Sequence, residues 1–331
     1  MKNSNAGTAN GGGILARAPG FLSKISIKEM IPVITLVLLL IVSGFLSASF
    51  FSFGNITNLL RQNAGLVIVS MGMLMVILTG GIDLSVGSML ALGAVLVANF
   101  SLTMPVLAAI LVTSLILMCL GAFAAYFVAF RRLAPFVVTL ALMTMARGLA
   151  FIISKGTPIR IAGDSWLIPF GNGSFLNVLP YPVLTSLIVF LVIMFVLRYT
   201  AYGRIVKAVG SNETTVRLSG IRVSLYTFSV YLISSLLCSF GGVISAARAG
   251  VGSAQVGTGL ELDAIAAVVI GGASLTGGKG TALNTLMGVF ILGLISNIMN
   301  LMGVHSYYQQ VIKGLIIIFA VLLQSAKRKG G

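Results

Sequence analysis

Long apolar stretches nearly free of charge recur along this chain from Met30 to Leu323, and no other property narrows its fold so far. An α-helix rises 1.5 Å per residue, so about 20 apolar residues cross a hydrocarbon core of about 30 Å. Scanning for such stretches gives ten: 30–50, 62–80, 84–103, 105–130, 135–154, 180–198, 225–247, 262–276, 282–303 and 309–325. They are continuous runs rather than alternating ten-residue segments, which favours a helical bundle over a barrel. With 58% hydrophobic and 8% charged residues the chain is far from a soluble domain, in which about a quarter of residues are charged. The expectation is an all-α polytopic membrane protein with about ten transmembrane helices. Segment 84–103 follows the polar stretch Thr79 to Ser85, and 262–276 is short and Gly-rich, so broken or partly buried helices are expected at both.

The 21 Lys and Arg outnumber the 6 Asp and Glu, for a net charge of +15. In a soluble protein that balance would suggest nucleic acid; between apolar spans it reads as topology, with the lipid bilayer as partner and no nucleic acid. With ten spans and both termini in the cytoplasm, fifteen of the 21 cations fall on the inner side, as the positive-inside rule requires. The chain then divides into a polar cytoplasmic segment 1–28, a permease domain 29–326 and a basic cytoplasmic tail 327–331. Two loops stand out by length: an outer one at 155–179, holding Asp164, and an inner one at 199–224. Cys119 and Cys238 lie in apolar runs without a CxxC pattern and read as packing residues.

Catalysis needs convergent nucleophiles, acids or metal ligands. The chain has one histidine, His305, and its carboxylates, Glu29, Asp83, Asp164, Glu213, Glu261 and Asp263, are scattered. Gly277-Gly278-Lys279-Gly280-Thr281 lacks the spacing of a nucleotide-cradling loop, so no cofactor, ATP included, is expected in this chain. The spans are almost empty of ionisable groups, which disfavours an ion-coupled secondary transporter. Arg147 is the exception, and its long stem reads as snorkelling to the outer interface. Asp83 reads as a cap on the helix that follows it. Gly80 and Gly81 with Asp83, and the pair Gly277 and Gly278, mark either close packing or helix breaks that act as a gate. Thr144, Asn297 and Asn300 could line a path for a neutral solute, or bond between helices.

The inner loop is the most informative. Gly210 is expected to end one helical piece, Asn212 to cap the next, Glu213 to sit in its first turn and Gly220 to terminate it. The result is a short cytoplasmic helix, Glu213 to Ser219.

At this loop the sequence resembles the inner-membrane permeases of bacterial ATP-binding-cassette importers. Glu213-Thr214-Thr215 stands where those proteins commonly carry Glu-Ala-Ala, although both alanines are threonines and Gly220 falls one residue late. The match is closer to the ribose-type monosaccharide branch, through Leu78-Thr79-Gly80-Gly81-Ile82-Asp83-Leu84-Ser85, then Gly210-Ser211-Asn212-Glu213 with Arg217-Leu218-Ser219-Gly220, then Glu261-Leu262-Asp263-Ala264 with Thr276-Gly277-Gly278-Lys279-Gly280. The resemblance implies a homodimer in the bacterial inner membrane that passes ribose or a similar sugar to the cytoplasm by alternating access. It also implies a separate ATPase with two nucleotide-binding modules, which holds ATP and Mg, and a periplasmic sugar-binding protein. Gly210, Asn212, Glu213, Thr214, Thr215, Arg217 and Gly220 would then couple to the ATPase, and Glu261 and Asp263 would dock the binding protein. Another pentose or hexose, a furanone signal or a branched amino acid would suit the same machinery.

Overall fold

The computed structural model describes residues 27–163 and 165–329; residues 1–26, Asp164 and residues 330–331 lie outside the described residues, and with them most of the expected N-terminal segment. Among the described residues the chain forms thirteen helices and four two-residue strands. The helices are α1 (Ile27–Leu46), α2 (Phe53–Leu78), α3 (Val86–Phe100), α4 (Val106–Ala129), α5 (Pro135–Ser154), α6 (Leu167–Asn172), α7 (Tyr181–Tyr199), α8 (Ala201–Ser211), α9 (Glu213–Leu218), α10 (Val223–Ala249), α11 (Leu260–Ile270), α12 (Ala282–Leu301) and α13 (Ser306–Lys329). The strands are β1 (Ile159–Arg160), β2 (Ser174–Phe175), β3 (Leu179–Pro180) and β4 (Val251–Gly252).

Each apolar segment read from the sequence overlaps one helix. Six of these, α2, α4, α5, α7, α10 and α12, are long and apolar enough to cross a membrane, and α3 and the Ile31–Leu46 part of α1 are shorter apolar helices. The chain is a polytopic helical membrane protein. Its burial fits that solvent: α2 and α10 run through the centre, with Ile68, Met71, Leu74, Val230 and Ala246 fully buried. On α4, α5 and α7 the apolar side chains Leu111, Leu115, Val137, Ile188 and Phe195 face outward, where lipid rather than water is the neighbour. Small residues set the close approach at the centre, since a Cβ on Gly121 would strike Ser235 and one on Gly242 the backbone of α3.

The structure departs from the sequence reading in several places. α1 stops at Leu46, four residues early, and α2 starts at Phe53, nine residues before the apolar run, because Ser52 caps it by accepting the Asn55 N–H at 3.3 Å. The scan for apolar residues passed over a helix start that carries Asn55, Asn58 and Arg61. The all-α expectation gives way locally to two antiparallel pairs, β1 with β4 and β2 with β3. The outer loop 155–179 is therefore structured: β1 ties it to the end of α10, Gly171 packs on the backbone of Ala247, and Arg61 donates to the Asn172 carbonyl at 3.1 Å. Cys238 is buried as expected, whereas Cys119 faces outward from α4.

The two weakest segments are the short helices. α3 has 15 residues and α11 has 11, rises of roughly 22 Å and 16 Å, so neither crosses by itself. Gly252 lies against Ala94 and Ala98 of α3, and Gly257 against Gly87 at its start. Residues 252–257 therefore run back along α3 into the bundle, and α11 begins beside the N-terminus of α3. Irregular backbone is tolerated at that depth because protein surrounds it.

Candidate coupling and gating site

The inner loop is more helical than its composition suggests. Thr200 caps α8 by accepting the Gly203 N–H at 3.2 Å, and Asn212 caps α9 by accepting the Thr215 N–H at 3.0 Å. Glu213 pairs with Arg217 one turn on, and Gly220, at φ 79°, turns the chain toward α10. Val209, Val216 and Val223 pack together, fixing α9 to its neighbours. Thr214, Thr215 and Leu218 point outward, Leu218 being 85% exposed, so α9 presents an open face. The expected short helix is present, one residue shorter at its C-terminus.

Gly210 is a correction. It does not end a helix, since α8 continues through Ser211. It is a contact point: a Cβ there would fall on the Leu78 carbonyl, 2.7 Å from the Gly278 nitrogen and 2.9 Å from the Gly277 Cα. The Gly278 N–H donates to the Leu78 carbonyl at 3.0 Å, closing the end of α2 against the turn that follows α11. Gly80, Gly277 and Gly278 have φ of 83°, 89° and 76°, a region that side-chain-bearing residues rarely enter. Three separate stretches of sequence, at 78–83, 210 and 276–278, thus meet at one point, and the α8–α9 loop rests directly on two backbone breaks.

Asp83 lies inside the first break and is 3% exposed. Its Oδ1 accepts the Ser85 N–H at 3.0 Å and the Ser85 hydroxyl at 2.6 Å, and its Oδ2 accepts the Ser234 hydroxyl of α10 at 3.1 Å. It does not cap α3 as expected, since α3 begins after Ser85 with no side-chain cap, and it instead pins the break to the central helix. Thr139 of α5 donates to the Ile82 carbonyl at 3.2 Å, and a Cβ on Gly81 would fall on the Tyr231 hydroxyl. Tyr231, Ser234 and Thr139 were not singled out from sequence; the i, i+3 spacing of Tyr231 and Ser234 in an apolar run was the available signal.

The remaining expected residues lie elsewhere. Arg147 does not snorkel outward: its guanidinium donates to the Ala254 carbonyl and, at 2.9 Å, to that of Val256, holding the segment that runs back along α3. Asp263 pairs with Lys313 of α13 at 3.0 Å, and Glu261 is directed at Gly87, so one expected docking carboxylate is engaged within the chain and the other points inward. Thr144 is exposed and donates to the Leu140 carbonyl, and Asn300, also exposed, accepts from Gln309 at 2.8 Å. Asn297 exchanges two hydrogen bonds with Asn55 of α2, at 2.9 and 3.1 Å. Asn297→Leu removes both bonds to the half-buried Asn55, leaving its NH2 only the Phe50 carbonyl, and is expected to cost about 1–2 kcal/mol, read as a lower thermal midpoint in detergent. An unchanged midpoint with altered solute uptake would instead place Asn297 on the path.

Residues 55–321 match the family model described as branched-chain amino acid transport system / permease component. The ribose import permease protein RbsC of Escherichia coli K12 is 40% identical over 315 residues, covering 93% of this chain and 97% of that protein. RbsC of Bacillus subtilis is 41% identical, covering 91% and 94%, and the xylose transport system permease protein XylH of E. coli is 33% identical, covering 85% and 87%. No solved structure matches the chain. The matched residues take in both glycine breaks, the α8–α9 loop and the central helices, and the chain belongs to this permease family.

Proposed function

We propose that this chain is the membrane subunit of an ATP-driven importer that passes a monosaccharide, ribose or a close analogue, from a periplasmic binding protein to the cytoplasm. The observation that carries the reading is its similarity to ribose import permeases over nearly the whole length of both proteins. It is a multi-pass protein of the bacterial inner membrane and is not itself catalytic; ATP and Mg belong to the partner ATPase. In the finer reading ten helices cross or enter the membrane and both termini are cytoplasmic, a reading supported by the fifteen cations that then fall on the inner side, and two copies per transporter follow from the resemblance alone.

In this mechanism the ATPase engages the open face of α9, where Glu213, Thr214, Thr215 and Arg217 stand. Its movement passes through Asn212 to α8 and, at Gly210, to the end of α2 and the turn after α11. Because contact at Gly210 is between backbones, little displacement is absorbed by side-chain rotation. The breaks at Gly80–Gly81 and Gly277–Gly278 then flex, and the bundle alternates between outward and inward states. Glycine pairs without a Cβ suit such a hinge because they leave the backbone free to turn.

The test is reconstitution of the chain with its ATPase and binding protein in vesicles, followed with radiolabelled ribose. Ribose should accumulate only with ATP inside the reach of the ATPase and binding protein on the other side. Accumulation driven by an ion gradient without ATP would overturn the mechanism, and transport of another solute in place of ribose would overturn the cargo.

A further inference from the structure

We propose that the inner membrane boundary of this chain binds the phosphate headgroup of an anionic phospholipid, in a cavity between the end of α4 and the start of α10. The cavity measures about 450 Å³ and is lined by Arg132, Arg217 and Arg222 together with Phe130, Ser224 and Leu225 among others. No carboxylate among the described residues lines it. Glu213 pairs with Arg217 from one side, while Arg132 and Arg222 form no ion pair among the described residues. Three guanidinium-bearing residues around one cavity, two of them unneutralised, call for an anion, and the planar fork of arginine matches phosphate oxygens in pairs.

The backbone around the cavity points the same way. α10 starts there with Arg222 at its N-cap position, no side-chain cap and no acidic residue in its first turn. Its positive dipole end adds to the arginines, while the N–H groups of Val223 and Leu225 already donate to the Ile221 and Arg222 carbonyls. Arg132 itself holds φ 55°, a conformation that glycine or asparagine adopts more readily, in the short turn between α4 and α5.

What distinguishes a lipid from a free anion is the apolar approach. Phe123, Tyr126 and Phe130 form one exposed stripe down the outward face of α4, at 52%, 46% and 45% exposure, ending at the cavity. Phe130 also packs on Phe228 of α10 with ring centroids 5.8 Å apart, and Leu225 stands exposed beside it. An acyl chain can lie along the stripe while its phosphate reaches the arginines. By the charge distribution of the loops this end of α4 lies on the cytoplasmic side, where basic pockets between helices meet anionic headgroups. The site adjoins the α9 helix through Arg217 and Gly220, so an occupied cavity would brace the coupling loop against the membrane.

The test uses the purified, delipidated full chain and native mass spectrometry with phosphatidylglycerol or phosphatidylcholine of matched acyl chains. The wild type should retain phosphatidylglycerol at least about tenfold more tightly than phosphatidylcholine, and Arg132→Gln with Arg222→Gln should abolish that preference. Arg132→Lys with Arg222→Lys should keep part of it. The single Arg222→Gln change on an exposed residue, expected to lose about half of the selectivity on a logarithmic scale, covers the case in which the double variant fails to fold. Undiminished selectivity in well-folded glutamine variants would overturn the site. So would inorganic phosphate binding alone as tightly as the lipid, which would assign the cavity to a free anion. Unchanged lipid selectivity with loss of ATPase co-purification would overturn it too, assigning the arginines to protein docking.

Discussion

Gly210→Val abolishes transport while the chain still reaches the membrane: uptake in reconstituted vesicles falls at least about tenfold, and ATP hydrolysis no longer responds to the binding protein. The added Cβ meets the Leu78 carbonyl, the Gly278 nitrogen and the Gly277 Cα, all backbone atoms that no rotamer change can move aside. Overpacking of this kind costs about 1–3 kcal/mol, and relieving it means lifting α8 off the end of α2. The hydrogen bond from the Gly278 N–H to the Leu78 carbonyl sits in that seam and is lost or bent with it, for about 1 kcal/mol more. None of this touches the outward faces of α4, α5 or α7, so insertion survives. Gly220→Ala, at the other glycine that the resemblance assigns to coupling, separates the packing at Gly210 from the mere presence of glycine in this loop. Gly220 also has a positive φ, 79°, yet nothing lies within 4 Å of a Cβ there, so the change costs only about 1–2 kcal/mol of local strain. Transport by Gly220→Ala should stay within a few-fold of wild type. Full transport by Gly210→Val would remove α8 from the coupling route.

The contrast between these two glycines shows how much was legible in the sequence. Both stand out in a basic loop, and the cap at Asn212 and the turn at Gly220 follow from their residue types alone. The role of Gly210 does not, because it depends on Leu78 and Gly278, 132 and 68 residues away, and packing between distant segments leaves no local signal. The same division runs through the fold. α4, α5 and α12 agree with the apolar runs within a residue or two, because Pro105 and Pro135 start the first two and Thr281 caps the third. α8 was legible only as a helical piece ending near Gly210, and its start was hidden because its apolar residues, Ile205, Val206 and Val209, occupy one narrow face of a short basic helix. The β1–β4 pair was invisible because two residues cannot show a period, and its register is set by α10 and the returning segment 252–257. The carboxylates Glu261 and Asp263 were legible as charges at a helix start, but their direction is set by Gly87 and Lys313, which sequence could not bring near.

Asp83→Ala should destabilise the folded chain by about 2–4 kcal/mol, seen as a sharp fall in thermal midpoint and in the amount recovered from membranes. Three donors converge on the carboxylate: the Ser85 N–H, the Ser85 hydroxyl and the Ser234 hydroxyl. Alanine strands all three at a site where Asp83 is 3% exposed, and each buried unpaired group costs about 1–3 kcal/mol. The loss is partly offset because a carboxylate buried among helices is itself expensive, so the sum of the three is an upper bound. Asp83→Asn separates hydrogen bonding from charge. Its amide oxygen can accept from Ser85, and its NH2 can donate to the Ser234 oxygen, so the tie from the α2–α3 break to α10 persists and stability stays close to wild type. If transport also stays close to wild type, Asp83 is a pin that holds the break against α10 while the neighbouring glycines move. A stable Asp83→Asn chain that transports at least about tenfold more slowly would mean that the negative charge itself takes part in the cycle. A wild-type midpoint for Asp83→Ala would show that the break is held by Thr139 and the Gly278–Leu78 contact without it.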